Sequence, residues 1–219
     1  MTAAVVFDLD GVIVDSEQVW DEVRLAYTEE TGGHYGPSAA RDMMGMSSVE
    51  WSRYMHDDLG LSQEPAEINA EVVRRMLERY HGELPLLDGA VDAVRSLAAS
   101  YPLAVASSSN RPLIDAVLET AGIAGCFVAT VSSEEVPRGK PSPDVYLEAA
   151  RRLGVAASRC AAIEDSGNGI RAAKAAGMLV IAYPNEHYPP DAEALGSADA
   201  VIGALSELGA AVGGAQGRG

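Results

Sequence analysis

Val5-Val6-Phe7-Asp8-Leu9-Asp10-Gly11-Val12 is an apolar run that ends in two carboxylates one residue apart, with glycine directly behind them. Alternation along a strand puts Asp8 and Asp10 on the same side of the backbone. Like charges held that close repel, which an ordinary buried strand end avoids. A bound cation relieves the repulsion, and a loosening of the strand at Gly11 lets both side chains face one pocket. The stretch predicts a site beside a metal, where one carboxylate attacks and the other handles protons.

Downstream, short β-like runs alternate with helical text. Ala4 to Phe7 is followed by Leu103 to Ala106, Phe127 to Val131, Ala161 to Ile163, Leu179 to Ala182 and Ala200 to Ile202. Strands alternating with helices predict an α/β fold: a parallel, Rossmann-like sheet covered on both faces. Gly122, Gly154 and Gly177 follow helical segments, where a left-handed cap favours glycine. Pro112 and Pro143 stand near helix starts, where a missing N–H costs nothing.

Residues 16–81 read differently. Val19, Trp20, Val23 and Tyr27 recur at helical spacing, as do Ile68, Val72, Met76 and Tyr80. Ser47-Ser48-Val49-Glu50 is a capping box opening a helix that stops at Gly60. The expected organisation is an α/β core from 1–15 and 82–219, interrupted by a helical insert over 16–81. Linkers fall at Asp15-Ser16 and Glu83-Leu84-Pro85. A Gly/Ala-rich tail after Leu208 is expected to fray.

Composition narrows the partners. The 219 residues carry 32 acidic and 16 basic side chains, a formal net charge of −16. That balance speaks against nucleic acid, and an anionic substrate needs a local cationic site. No apolar run approaches the roughly 20 residues of a membrane span. There is no signal-peptide pattern, so the expectation is a cytoplasmic protein, monomeric by default. Cys126 and Cys160 sit in apolar runs and read as buried free thiols. His34, His56, His81 and His187 lack metal-ligand spacing.

In a doubly wound sheet, ligands bind at the C-terminal strand ends. Those ends offer Asp8 and Asp10; Ser107-Ser108-Ser109-Asn110; Arg138-Gly139-Lys140-Pro141 in the loop before the next helix; and Glu164-Asp165-Ser166-Gly167-Asn168-Gly169. Oxygen ligands without clustered His or Cys favour magnesium. Hydroxyls and N–H groups at a helix start suit a phosphate. Each group has an ordinary reading by itself: the serines as a helix cap, Lys140 as a solvated lysine, Glu164-Asp165 as a turn. It is their joint placement at strand ends that argues for a site.

With these four groups in this order, the chain resembles the haloacid dehalogenase superfamily, in its beta-phosphoglucomutase-like and phosphoglycolate phosphatase-like branch of magnesium-dependent enzymes with a helical cap. The signatures are Asp8-Leu9-Asp10-Gly11-Val12 extended to Asp15-Ser16, Ser107, Lys140 in Gly139-Lys140-Pro141, and Glu164-Asp165. The resemblance covers residues 4 to about 202 and implies the roles. Asp8 is then the nucleophile, giving an aspartyl-phosphate, and Asp10 the general acid and base. Mg2+ is held by Asp8, the Asp10 carbonyl and Asp165, with Glu164 as a direct or water-mediated ligand. Ser107, Ser108, Asn110 and the backbone at Leu9 and Gly11 hold phosphate oxygens. Lys140 neutralises charge and orients Asp8.

Within that family, Asp10 and the acidic pair speak against dehalogenation. The absence of lysine from 16–81 speaks against a Schiff-base phosphonatase. A mutase needs cap cations facing the core, and Met44-Gly45-Met46-Ser47-Ser48 is neutral. Arg41, Arg53, Arg74 and Arg75 remain as candidate cap cations, although most of them read as helix-surface charges. Trp20 either touches the substrate or packs under the cap, and Met43, Met44 and Met46 either roof the pocket or fill the cap core. The expected activity is hydrolysis of a small phosphorylated metabolite. Alternatives are a sugar-phosphate mutase and a non-catalytic phosphate-binding protein.

Overall fold

The computed structural model describes residues 1–44, 46–185 and 187–214. Six strands form one parallel sheet: β1 (Ala4–Phe7), β2 (Leu103–Ser107), β3 (Phe127–Ser132), β4 (Cys160–Glu164), β5 (Leu179–Ala182) and β6 (Ala200–Val201), in the order β3-β2-β1-β4-β5-β6. The order reverses beside β1, where Phe7 pairs with Val105 on one side and Ile163 on the other. A ligand crevice opens at such a reversal, and Asp8 and Glu164 are the residues that stand there.

Between β1 and β2 lie α1 (Glu17–Glu30), α2 (Ala39–Met43), α3 (Ser48–Asp57), α4 (Pro65–Gly82) and α5 (Ala90–Ala98). The rest are α6 (Arg111–Thr120), α7 (Asp144–Leu153), α8 (Gly167–Ala175), α9 (Ala192–Ser197) and α10 (Leu208–Gly214). The sheet's two faces are unlike. Val5, Phe7, Leu103, Val105 and Ile163 point to one face. Ala4, Val6, Ala104, Ala106 and Ala162 point to the other, against Tyr146 and Ala149 of α7 and Ile170 and Ala173 of α8. Alternation sorts large residues from small, and the small face lets α7 and α8 sit close. That brings Tyr146 and Gly169 under the end of β4.

Helices α1, α3 and α4 pack on one another over the C-terminal strand ends and form the roof of the crevice. The apolar stripe of α4 is buried at Ile68, Val72, Met76 and Tyr80, as its spacing predicts. The Ser47/Glu50 capping box is present at α3. The chain crosses into and out of this layer side by side: Asp15 N–H donates to Pro85 O (2.7 Å), Leu87 N–H donates to Ile13 O (3.0 Å), and Val14 bridges Leu86.

Two expectations need correction. The tail folds as far as Gly214: Leu208 and Val212 of α10 are buried, because they close the core against α5. Residues 215–219 lie outside the described residues. Cys160 is buried but Cys126 is half-buried, since it ends a turn at the sheet's edge; both are free thiols. Among the described residues no helix is long and apolar enough to cross a membrane.

Candidate active site

The sheet side of the crevice carries the charge. Asp8 follows β1 directly, and its N–H still donates to Ile163 O (3.0 Å), so the strand ladder aims its side chain. Lys140 Nζ lies 2.9 Å from Asp8 Oδ1 and 2.6 Å from Glu164 Oε1. Tyr146 Oη donates to the same Glu164 oxygen (2.5 Å). Ser166 donates to Glu164 Oε2 through its N–H (3.3 Å) and its hydroxyl (3.1 Å). Both Glu164 oxygens are thus engaged, while Asp165 completes a cluster with Asp8 and Glu164 whose ligand atoms lie within 4.8 Å of one another.

Two glycines make this density fit. A Cβ on Gly11, whose φ is +76°, would fall 1.9 Å from Asp165 Oδ2. A Cβ on Gly169 would fall 1.8 Å from Glu164 Oε1. The Gly11 N–H donates to Val14 O (2.7 Å), so it is committed to its own turn rather than to a phosphate.

The electrostatics are those of a site short of positive charge. Burial pushes the Asp8 carboxyl well above its usual pKa, Glu164 and Asp10 push it further, and Lys140 only partly opposes them. Asp165 is raised well above its range by burial, then by Glu164 and Asp8. Burial works against the Lys140 charge, but Asp8 and Glu164 outweigh it and hold its pKa high. Three buried carboxylates face one lysine, which is the donor set of a hard divalent cation.

Asp10 is held from both sides of the crevice. Its Oδ1 accepts from Ser16 Oγ (2.5 Å) and Trp20 Nε1 (3.3 Å). Its Oδ2 accepts from Ser109 Oγ (2.7 Å) and Ser107 Oγ (3.4 Å). Of its two expected roles, Trp20 takes the packing one, against Trp51 with ring centroids 5.9 Å apart, and its Nε1 also donates to Asp10.

The groups meet in a cavity of about 50 Å³. Asp8, Asp10, Ser108, Lys140 and Asp165 line its floor, and Trp20 its roof. Leu9 is buried beneath. Ser107 is fully buried behind Asp10, and Ser108 and Ser109 take the lining positions, because the chain turns at the end of β2. Asn110 also lies off the cavity. Its Nδ2 donates to Glu134 Oε1 (2.7 Å) and to Asn69 Oδ1 on α4 (3.1 Å), because it caps the start of α6 and faces the roof.

Glu17, Arg24 and Trp51 line the roof without having been expected there. Met43, Met44 and Met46 border the cavity, and Met43 is also fully buried in the roof. The view that the roof lacks a core-facing cation fails at Arg24, which is 6% exposed between Trp20 and Trp51. Burial raises the Glu17 carboxyl to about 7, with Asp10 adding to it. The available signal was an arginine on the apolar stripe of α1, next to Val23.

Residues 2–177 match haloacid dehalogenase-like hydrolases. The chain is 33% identical over 210 residues to the bifunctional riboflavin kinase/FMN phosphatase of Arabidopsis thaliana, covering 95% of this chain but 55% of that one, about half its length. It is 33% identical over 225 residues to hexitol phosphatase B of Escherichia coli, covering 94% of this chain and 93% of that one. Among solved structures, CbbY from Rhodobacter sphaeroides in complex with phosphate superposes with a TM-score of 0.83 at 27% identity, covering 95% of this chain and 97% of that one. The family match over most of the chain, joined to two paired carboxylates, a lysine and an acidic pair at the ends of a parallel sheet, makes this chain a member of the haloacid dehalogenase-like hydrolases.

Proposed function

We propose that this phosphoric monoester hydrolase removes the phosphoryl group from a small sugar or polyol phosphate by way of an aspartyl-phosphate on Asp8, with Mg2+. The observation that carries this is the buried cluster of Asp8, Glu164 and Asp165 with Lys140 as the cation in contact with it. Hexitol phosphatase B and a fructose-1-phosphate phosphatase of Escherichia coli, 34% identical over 189 residues, support the substrate class.

Asp8 and Asp165 would hold the metal together with the Asp10 carbonyl, a reading supported by the cluster that the two side chains form with Glu164. Glu164, both oxygens engaged, supports the site through water. When bound, the cation supplies charge neutralisation between carboxylate and phosphate. Lys140 orients Asp8 and opposes its repulsion of the incoming phosphate. Asp8 Oδ attacks phosphorus, and Asp10 protonates the leaving alkoxide. Water then cleaves the acyl phosphate while Asp10 takes its proton. Ser108 Oγ is buried without a hydrogen-bond partner and is aimed at the same cavity, which suits a phosphoryl oxygen.

Residues 16–81 act as a cap. A water needs roughly 10–15 Å³ of such a cavity, so the closed cavity of about 50 Å³ has room for a few waters. Substrate entry requires the roof to swing about 15–16 and 83–85, and closure excludes water.

Phosphate release from p-nitrophenyl phosphate and a panel of sugar and polyol phosphates, with Mg2+ and with chelator, tests the reading. Mg2+-dependent release is expected, falling on the order of 1,000-fold in Asp8→Asn with the fold intact by circular dichroism. Activity that survives in Asp8→Asn removes the nucleophile assignment.

A further inference from the structure

Arg24 is charged, buried and left without an ion pair among the described residues, on the wall of the cavity. Its side chain lies over Trp20 (4.4 Å to the ring centroid) and Trp51 (4.9 Å). Its Nε is buried with no hydrogen-bond partner. The other carboxylates near it act from farther off: Glu17 and Asp10 line the same cavity, and Asp21 is engaged by Tyr35 Oη (2.6 Å).

Glu17, Trp20 and Arg24 are spaced i, i+3 and i+7, so they share one face of α1. Two turns of helix separate Glu17 from Arg24, about 10 Å along the axis. Both Glu17 and Arg24 feel Asp10 and each other, so α1 presents a carboxyl and a guanidinium to the roof of the cavity. The cavity therefore has two cations, Lys140 beside Asp8 on the floor and Arg24 on the roof. Lys140 faces the reacting phosphate, and Arg24 faces whatever the leaving group carries away from it.

A buried guanidinium with no carboxylate in direct contact is costly, and aromatic faces repay only part of that cost. The tryptophans hold its plane and leave the donor edge for a ligand. A planar fork of N–H donors matches the paired oxygens of a carboxylate or a phosphate. Building on the phosphatase reading above, we propose that Arg24 is a specificity-determining residue that binds a second anionic group, carboxylate or phosphate, carried on the leaving group of the substrate under the roof.

The test uses one carbon skeleton with three ends: sorbitol 6-phosphate, 6-phosphogluconate and sorbitol 1,6-bisphosphate. A three-carbon pair, glycerol 3-phosphate and 3-phosphoglycerate, covers shorter substrates. In the wild-type enzyme with Mg2+, at least one doubly anionic compound should exceed its neutral-ended partner in kcat/KM by about tenfold or more, mostly through KM. Arg24→Gln should reduce that ratio about tenfold, with Arg24→Lys between. The carboxylate and bisphosphate arms tell the two anions apart.

A second readout does not depend on turnover. Trp20 and Trp51 are the chain's two tryptophans and both flank Arg24. Titrating Asp8→Asn with the same compounds should change tryptophan fluorescence at lower concentration for the doubly anionic ones, and this difference should vanish in Asp8→Asn/Arg24→Gln. Equal response to all compounds, or a preference that persists without Arg24, overturns the inference while leaving the phosphatase reading intact. Absent turnover of every compound, p-nitrophenyl phosphate included, overturns the phosphatase reading, and the fluorescence titration still decides Arg24.

Discussion

At and beneath the floor of the cavity, Asp8, Glu164, Asp165 and Lys140 are fixed by strand ends and by each other; on the roof, Glu17, Trp20 and Arg24 are fixed by the periodicity of one helix. The floor is crowded: the Lys140 ammonium serves two carboxylates, and Gly11 and Gly169 exist there because a methyl group would overlap a carboxylate. The roof is sparse, with charges two helical turns apart and an orphaned guanidinium between indole rings. Crowding suits a reaction that is the same for every substrate, since neutralised charge and alignment are what phosphoryl transfer needs. Sparseness suits recognition, since unsatisfied groups wait for a ligand to complete them.

The largest test of this contrast is Asp165→Asn. It should lower kcat/KM by on the order of 100-fold or more while raising the melting temperature of the metal-free protein near pH 8. The sign follows from the raised folded-state pKa of Asp8 and Asp165. A carboxyl raised on folding contributes stability below its unfolded pKa and loses it as pH climbs through the folded value. Metal-free protein should therefore lose stability from these two groups as pH rises above their unfolded value of 3.8, Mg2+ should restore much of it at pH 8, and Asp165→Asn should flatten the pH dependence. A metal-free melting temperature that rises with pH would show that the floor is not held under charge repulsion.

Next in size is Glu17→Gln on the roof. The Glu17 carboxyl is raised from 4.5 to about 7 by burial and then by Asp10. Its contribution is present below 4.5 and lost as pH rises through 7, so the amide should stabilise the protein by about 1–3 kcal/mol at pH 8. Thermal melts at pH 4.5 should show no such gain. An equal gain at both pH values would trace the effect to packing rather than charge.

The smallest effect is expected where floor and roof touch away from the chemistry. Glu134 Oε1 accepts from Ser48 Oγ on α3 (3.0 Å) and from Asn110 Nδ2, which also reaches Asn69 on α4. Losing these bonds in Glu134→Ala should weaken closure by about 1 kcal/mol, raising KM severalfold with kcat within about threefold of wild type. A fall in kcat as large as that of Asp165→Asn would mean that floor and roof do not work as separable parts.

The strands were legible because each is a short apolar run followed by a polar break, and β1, β2 and β4 appear within a residue of where the text puts them. Asp8, Asp10 and Asp165 were legible because a strand end turns sequence position into spatial position, and Lys140 because it stands in the loop that leads from β3 to α7. Arg24 was hidden for the opposite reason. A helix distributes residues around its axis, and what lies opposite a given face depends on a partner far along the chain, here Trp51 of α3. Ser107 and Asn110 differ from expectation because the turn after β2 swings neighbouring side chains in different directions. One residue buttresses Asp10, two line the cavity, and one ties the roof. The α10 tail was misread because its small residues look like a linker, although Leu208 and Val212 meet the core one helical turn apart.

The paired crossing at Val14 and Leu86 has a consequence for how such a protein can change over evolutionary time. The inserted segment leaves and re-enters the sheet layer at points already joined by hydrogen bonds, Asp15 to Pro85 and Leu87 to Ile13. Most of what lies between those points can be exchanged for a shorter, longer or differently folded segment without displacing a strand or the Asp8, Glu164 and Asp165 carboxylates below, provided Asp10 keeps partners such as Ser16 and Trp20 at the entry. The molecule is thus built like a socket with a replaceable fitting. The chemistry is inherited with the socket, and diversification toward new leaving groups requires only that the fitting be redrawn.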